Sequence, residues 1–367
     1  MRGLYIHIPF CARKCGYCDF YSVPGKAGLL GPYVDALLQE ATMYRGMKFD
    51  TLYIGGGTPS LLSPSLLDVL IKGLTARLNL GNLLESTIEV NPESAGRELL
   101  QAARSAGINR LSIGVQSLDD TELRKAGRIH NAAAALGAID TAVKCGFTNI
   151  SADIIIGLPG QTSATLVRTL DQITCRPLTH LSAYCLSVEE GTPFSENTPA
   201  DLVDDDGQAA LFDEVGRYLK GQGLVHYEIS NFARPGKECL HNLNYWRGGE
   251  YVGLGPAAAS HLGGRRTKNA ADLGRYLENP LSMEIEIDEL PPADRAAEEA
   301  MLRLRLLEEG LCLSDLERHG AGQGLADLRV RLENMAREKA LIRCGDTYRI
   351  PSNGVLTSNR VFARVLS

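Results

Sequence analysis

The chain of 367 residues predicts an α/β fold: a partial (β/α) barrel of the TIM-like kind, followed by a small C-terminal winged-helix-like module. Three observations carry that reading. Short β-rich runs alternate with helical stretches from the N-terminus to about residue 235. The alternation then fails in a stretch rich in Gly and Asn. A new helical pattern opens at Pro291-Pro292.

Strand candidates cover residues 4–8, 51–54, 87–90, 110–115, 149–156, 181–186 and 227–229. Continuous apolar runs such as Ile154-Ile155-Ile156 predict strands covered on both faces. Between strands, Ser63-Pro64 supplies an N-cap and a first-turn proline. Leu66, Leu67, Leu70, Ile71, Leu74 and Leu78 follow at helical spacing. Repeated βα units imply a parallel sheet, and their number favours a full or partial barrel over an open sheet. Residues 236–290 are expected to be irregular and to cover one end of it. Beyond Pro291, helices over 298–309, 313–319 and 325–339 precede a hairpin of 341–343 and 347–350 around Gly345-Asp346. Residues 291–367 hold 12 Lys and Arg against 11 Asp and Glu, which leaves no electrostatic footprint for nucleic acid. A docking or packing module is expected. The predicted division is therefore a core over 1–235, an irregular segment over 236–290 and a C-terminal module over 291–367.

A hydrophobic content of 44% with 22% charged residues is ordinary for a globular protein with a sizeable core. No segment approaches the ~18 consecutive apolar residues of a membrane span. The first ten residues turn polar without a signal-peptide core, so a cytoplasmic protein is expected, with peripheral membrane association left open. The formal charge of −6 argues against a dominant phosphate-binding surface. Nine cysteines, odd in number and mostly scattered, do not read as a disulfide framework.

One group of cysteines is different. Cys11, Cys15 and Cys18 have the spacing CxxxCxxC directly after the first strand. Three thiolates so close in sequence can fold around one inorganic centre. Ferredoxin-type clusters take four cysteines, one per iron, so three would leave one iron open to a small molecule. The alternatives are a structural zinc with His7 as fourth ligand, whose spacing fits poorly, and a redox disulfide, which needs only two of the three thiols. CxxxCxxC after a first barrel strand resembles the radical S-adenosylmethionine (SAM) superfamily. Tyr5-Ile6-His7-Ile8-Pro9-Phe10-Cys11 and Cys18-Asp19-Phe20 resemble, more narrowly, its oxygen-independent coproporphyrinogen III oxidase group. The resemblance implies a four-iron four-sulfur (4Fe-4S) cluster on the three cysteines, with SAM chelating the unique iron.

Strand ends supply a second constellation. Gly55-Gly56-Gly57-Thr58-Pro59 closes the second strand, where absent side chains let backbone approach a ligand. Glu89, Gln116, Arg128 and Asp153 stand at or after the ends of later strands. Each alone is more often a satisfied structural residue; together they face one mouth, as a barrel site requires. The resemblance implies that Tyr5, Gly56, Gly57, Thr58, Glu89, Gln116, Arg128 and Asp153 contact SAM.

Two features narrow the reading within the group. A coproporphyrinogen oxidase of this type carries a fourth cysteine where this chain has Phe20, and a long segment before its cysteines where this chain has ten residues. The string His241-Asn242-Leu243-Asn244-Tyr245-Trp246 fits HNxxYW and resembles the signature of the HemW family of haem chaperones. That resemblance implies haem as ligand, with His241, Tyr245 and Trp246 around it, recipient haemoproteins as partners, and a reductant such as flavodoxin or ferredoxin. The bland alternative is that His241 and Trp246 close the end of the barrel as packing. His261 and Cys239 are less specific iron-ligand candidates, and Cys145, Cys175, Cys185, Cys312 and Cys344 read as small buried apolar residues. The competing function is a radical SAM enzyme, an oxidase or methyltransferase acting on a porphyrin or other heteroaromatic. Two further expectations follow. Gly57→Val weakens SAM binding while sparing the cluster, and His241→Ala weakens haem binding or alters its spectrum.

Overall fold

A computed structural model describes residues 1–319 and 322–367. Six parallel strands form its spine: β1 (Arg2–Ile8), β2 (Thr51–Gly56), β3 (Glu85–Val90), β4 (Arg110–Gln116), β5 (Ile150–Ile156) and β6 (His180–Cys185). Helices connect them. One of these, α1 (Pro64–Arg77), starts as the sequence predicts, with the Ser63 hydroxyl accepting from the Leu66 amide at 3.2 Å. Its Leu67, Leu70, Ile71 and Leu74 are buried in the main core.

The strand registers divide the sheet into two chemically distinct faces. Tyr5 pairs with Tyr53, Tyr53 with Thr87, Thr87 with Arg110, and Glu89 with Ser112. Ser112 pairs with Ser151 and Ser151 with His180, while Asp153 pairs with Ser182. These partners share one face, which is polar. The alternate residues, among them Ile6, Ile54, Ile88, Ile113, Ala152 and Leu181, are buried under the helices. The strands are covered on both faces, as expected, but the inner face is polar, and only Ile155 interrupts it on β5, packing with Ala126 and Leu158.

After β6 the sheet turns antiparallel through β7 (Val225–Glu228) and β8 (Asn231–Ala233). The segment expected to be irregular contributes two short helices, α2 (Leu240–Trp246) and one over Leu273–Glu278, and four strands: β9 (Glu250–Leu254), β10 (Ala259–Leu262), β11 (Arg265–Asn269) and β12 (Glu284–Asp288). Strand β9 adds parallel to β1, pairing Arg2 with Glu250 and Ile6 with Leu254, and an Arg2–Glu250 ion pair of 2.5 Å stitches the start of that ladder. Among the described residues the two outer strands, β7 and β12, are not paired with each other, so the sheet is open and a closed barrel is not formed.

The C-terminal region is helical with a small three-stranded sheet of Leu311–Cys312, Ile342–Cys344 and Thr347–Arg349. Its helices are α3 (Pro292–Arg303), a 3-10 turn over Leu313–His319, α4 (Gln323–Arg337) and α5 (Ser358–Leu366). The first begins six residues earlier than its periodicity predicts because Pro292 occupies the first helical position. No helix among the described residues is long and apolar enough to cross a membrane.

Candidate functional site

The loop after β1 presents the three cysteines. Backbone bonds fix it: the Gly16 amide donates to Ala126 O at 3.0 Å and Gly16 O accepts from the Phe194 amide at 2.9 Å. A Cβ on Gly16 would lie 2.2 Å from the Phe194 ring, so only glycine allows this docking. All three thiols are free and partly exposed. Thr58 Oγ1 donates to Cys11 Sγ at 3.5 Å, and Arg128 Nη1 to Cys15 Sγ at 3.5 Å. Burial pushes the Cys18 thiol up to about 11 and raises that of Cys11.

A cavity of about 400 Å³ opens beside this loop. Cys11, Cys15, Cys18, Gly56, Gly57, Thr58, Glu89, Gln116, Arg128 and Asp153 all line it. Chain positions spread over more than a hundred residues thus converge because each ends or follows a strand of one sheet, except Asp153, which stands midway along β5 on the inner face. Gly57 approaches the cysteine loop closely; a Cβ there would stand 2.7 Å from Phe10 O and 3.0 Å from Cys11 Sγ. Gln116 reaches the cavity through a register shift after Gly114 and a φ of 64°, a left-handed conformation uncommon for a side chain of this kind. Arg128 donates to Asn91 Oδ1 at 2.8 Å and Gly114 O at 3.2 Å. Asp153 accepts from Ser112 at 2.9 Å and Ser151 at 3.1 Å, while burial raises its carboxyl.

Glu89 is the most responsive group. It accepts from Tyr53 Oη at 2.8 Å and from the Gly56 amide at 3.1 Å, yet burial outweighs these bonds and pushes its carboxyl up to about 7. The folded chain then holds this proton more tightly than the unfolded chain, whose carboxyl titrates near ~4.3. Stability should fall as pH rises from ~4.3 through about 7, by on the order of 2 kcal/mol because the group faces a solvated cavity. Urea titrations of wild type and Glu89→Gln across that window should show the steeper fall in wild type, since burial also raises Glu40, Asp153 and Glu228, which persist in the variant; equal slopes would remove Glu89 as a contributor.

Tyr5, His241, Tyr245 and Trp246 do not line the cavity. Tyr5 bonds to His7 Nδ1 at 3.0 Å, and His7 Nε2 to Tyr21 O at 2.9 Å. With both nitrogens engaged, His7 is not placed to complete a zinc site. Among the described residues no three His, Cys, Asp or Glu side chains converge as ligands of a single ion. The thiols do fit a cluster, whose ligands hold separate irons: three free donors on one anchored loop, with a cavity rather than a fourth protein ligand beside them.

His241 departs furthest from expectation. Its helix packs against the opposite, N-terminal ends of the strands. Nδ1 bonds with Thr51, the first residue of β2, at 2.8 Å, and Nε2 with Tyr245 Oη at 2.8 Å. The side chain is 1% exposed, and burial, helped by the Arg110 charge, lowers its pKa to about 3. Glu85 caps the start of this helix, accepting from the amides of Leu240 at 2.9 Å and His241 at 3.1 Å. Trp246 lies under the Arg305 guanidinium, 4.3 Å from its ring, joining the sheet to the C-terminal region. The segment therefore does not fold against the cavity mouth, and His241 has no nitrogen free for iron: here the packing alternative holds. His241→Ala should cost about 3 kcal/mol of stability through lost packing and an orphaned Thr51 hydroxyl. Unchanged urea denaturation would contradict this.

The radical SAM superfamily profile matches residues 5–173. The chain is 35% identical over 380 residues to the heme chaperone HemW of Escherichia coli (strain K12), covering 100% of this chain and 98% of that protein. It is also 35% identical over 305 residues to heme chaperone HemW of Lactococcus lactis subsp. lactis, covering 82% and 80%. The chain belongs to the HemW family of the radical SAM superfamily. A solved structure, coproporphyrinogen III oxidase (HemN) from Escherichia coli, superposes with a TM-score of 0.87 at 23% identity, over 100% of this chain and 90% of that one, and attests the shared fold.

Sequence reasoning missed several residues that line the cavity of this HemW-family protein. Arg110, Ser112, Ser182 and Tyr184 stand on its wall, and Asn242 contributes from α2. Their signal lies in every second position of β4 and β6, masked when those runs are taken as wholly buried. Cys185 also opens on the cavity and is exposed. Cys175 and Cys344 are exposed too, and Cys145 and Cys312 partly so, so none is the buried apolar residue expected. Cys239 is buried against Glu85 at 3.4 Å. His261 lies on β10 with Nδ1 3.3 Å from Gly249 O.

Proposed function

We propose that this protein is a haem chaperone built on a radical SAM scaffold, which binds haem and passes it unchanged to recipient haemoproteins in the cytoplasm. The observation that carries the reading is the single cavity joining the cysteine loop to the strand-end residues, in a chain similar from end to end to HemW of Escherichia coli. On this reading Cys11, Cys15 and Cys18 hold a 4Fe-4S cluster. Gly56, Gly57, Thr58, Glu89, Gln116, Arg128 and Asp153 hold SAM, to whose sulfonium a reduced cluster supplies an electron. Glu89 and the open backbone at Gly56 suit an ammonium group, Arg128 a carboxylate, and Asp153 a ribose hydroxyl. The loop anchored by Gly16 and Phe194 keeps the thiols at the rim, and the serines below orient Asp153. A flavodoxin or ferredoxin would serve as reductant. The division into a core, a middle segment and a C-terminal docking region belongs to the same proposal.

Because an ammonium favours ionised Glu89, SAM affinity should rise with pH through about 7. Phe20 in place of a fourth cysteine supports the chaperone over the oxidase. Anaerobic incubation of the reconstituted protein with SAM, reductant and coproporphyrinogen III separates the two. The account expects no protoporphyrinogen IX, and multiple turnovers would establish the enzyme instead.

A further inference from the structure

The placement of His241 leaves haem without a site, and the cavity mouth offers one. Exposed apolar side chains gather there: Phe20 is 63% exposed, Ile129 49% and Tyr184 45%, and all three line the same cavity. They come from three separate elements, the cysteine loop, the segment after Arg128 and the end of β6. Three such residues on one cavity differ from the stray exposure of single residues, which needs no explanation. On the cavity side stand the cysteine loop and the polar strand ends already assigned to SAM. The β6 side, with Tyr184 and Leu186, has no role in that assignment. The cations of the rim complete the pattern. Arg13 and Lys14 line the cavity from the cysteine loop, and among the described residues neither makes an ion pair. Three exposed apolar side chains on one cavity that also carries two unpaired cations suit a planar apolar molecule with acidic substituents, which is the chemistry of an iron porphyrin with its propionates.

We infer that haem docks at this mouth, its face against Phe20, Ile129 and Tyr184 and its carboxylates toward Arg13 and Lys14. The inference rests on the chaperone reading and relocates its cargo from the helix bearing His241 to the opposite end of the strands. Haem so placed stands next to the cluster loop, whereas the helix of His241 serves as structural floor.

Haem titration of the anaerobically reconstituted full chain, followed by Soret absorption, tests it. Phe20→Ser, Ile129→Ser and Arg13→Glu are surface changes, and cluster absorbance and SAM affinity report separately whether the site survives. Ile129→Ser and Arg13→Glu are expected to weaken haem binding at least tenfold and threefold, with cluster content retained. Phe20→Ser should do likewise, and if it disturbs the neighbouring Cys18 the other two variants decide. His241→Ala, measured below its unfolding transition, should bind haem within twofold of wild type. Wild-type affinity in both Ile129→Ser and Arg13→Glu, or loss of haem in a folded His241→Ala protein, would overturn the inference while leaving the chaperone reading intact. Failure of the wild-type protein itself to retain haem would instead remove the chaperone reading.

Discussion

Replacing Cys11, Cys15 or Cys18 with Ala should leave anaerobically reconstituted protein without iron, whereas wild type should hold about four irons per chain with the broad charge-transfer absorption of a 4Fe-4S centre. The three thiols share one anchored loop, and His7, held by Tyr5 and by Tyr21 O, is not free to replace a lost one. Cys145→Ala is the control. That residue caps a helix remote from the cavity, its Sγ 3.9 Å from Arg97 O, and its loss should leave iron content unchanged. A preparation with one zinc and no iron after reconstitution would sink the cluster assignment.

Gly57→Val should have the next largest effect, and a broader one than sequence reasoning expects. The new Cβ would press on Phe10 O at 2.7 Å and Ile8 O at 3.0 Å, both backbone atoms unable to swing away, and on Cys11 Sγ. The cysteine loop must shift. SAM affinity should therefore fall at least tenfold, ~1.4 kcal/mol, and cluster content should fall with it. Gly137→Ala, on a helix where a Cβ meets nothing within 4 Å, should be neutral or slightly stabilising. Equilibrium dialysis with labelled SAM, beside iron analysis, measures both. A Gly57→Val protein with full iron and weak SAM binding would return the residue to a purely ligand-facing role.

What is legible in the sequence is local. Strand and helix positions follow from runs and caps written in adjacent residues, and the strand-end residues converge because the βα rhythm places every C-terminal end at the same rim. Glu89, Gln116, Arg128 and Asp153 are thus recognisable as one set from their places in that rhythm. What stays hidden depends on pairing across long separations. Strand β9 joins β1 through Arg2 and Glu250, and Thr51 meets His241, contacts that no local pattern announces. HNxxYW names residues suited to haem but does not say at which end of the strands they sit. The polar inner face is obscured for a related reason: Ser112, Ser151 and Ser182 look like incidental hydroxyls until register aligns them beside Asp153. Phe20 is informative in the sequence as a missing cysteine, while its exposure at the cavity mouth depends on the fold.

Hand-over of haem tests the central claim most directly. Cluster-loaded protein carrying one equivalent of haem, supplied with SAM and reductant, would be mixed anaerobically with an apo-haemoprotein, and the porphyrin then extracted and weighed by mass spectrometry. The account predicts unmodified haem in the recipient, at no more than one equivalent per chaperone chain. A porphyrin of altered mass, accumulating over repeated turnovers together with 5′-deoxyadenosine, would contradict it.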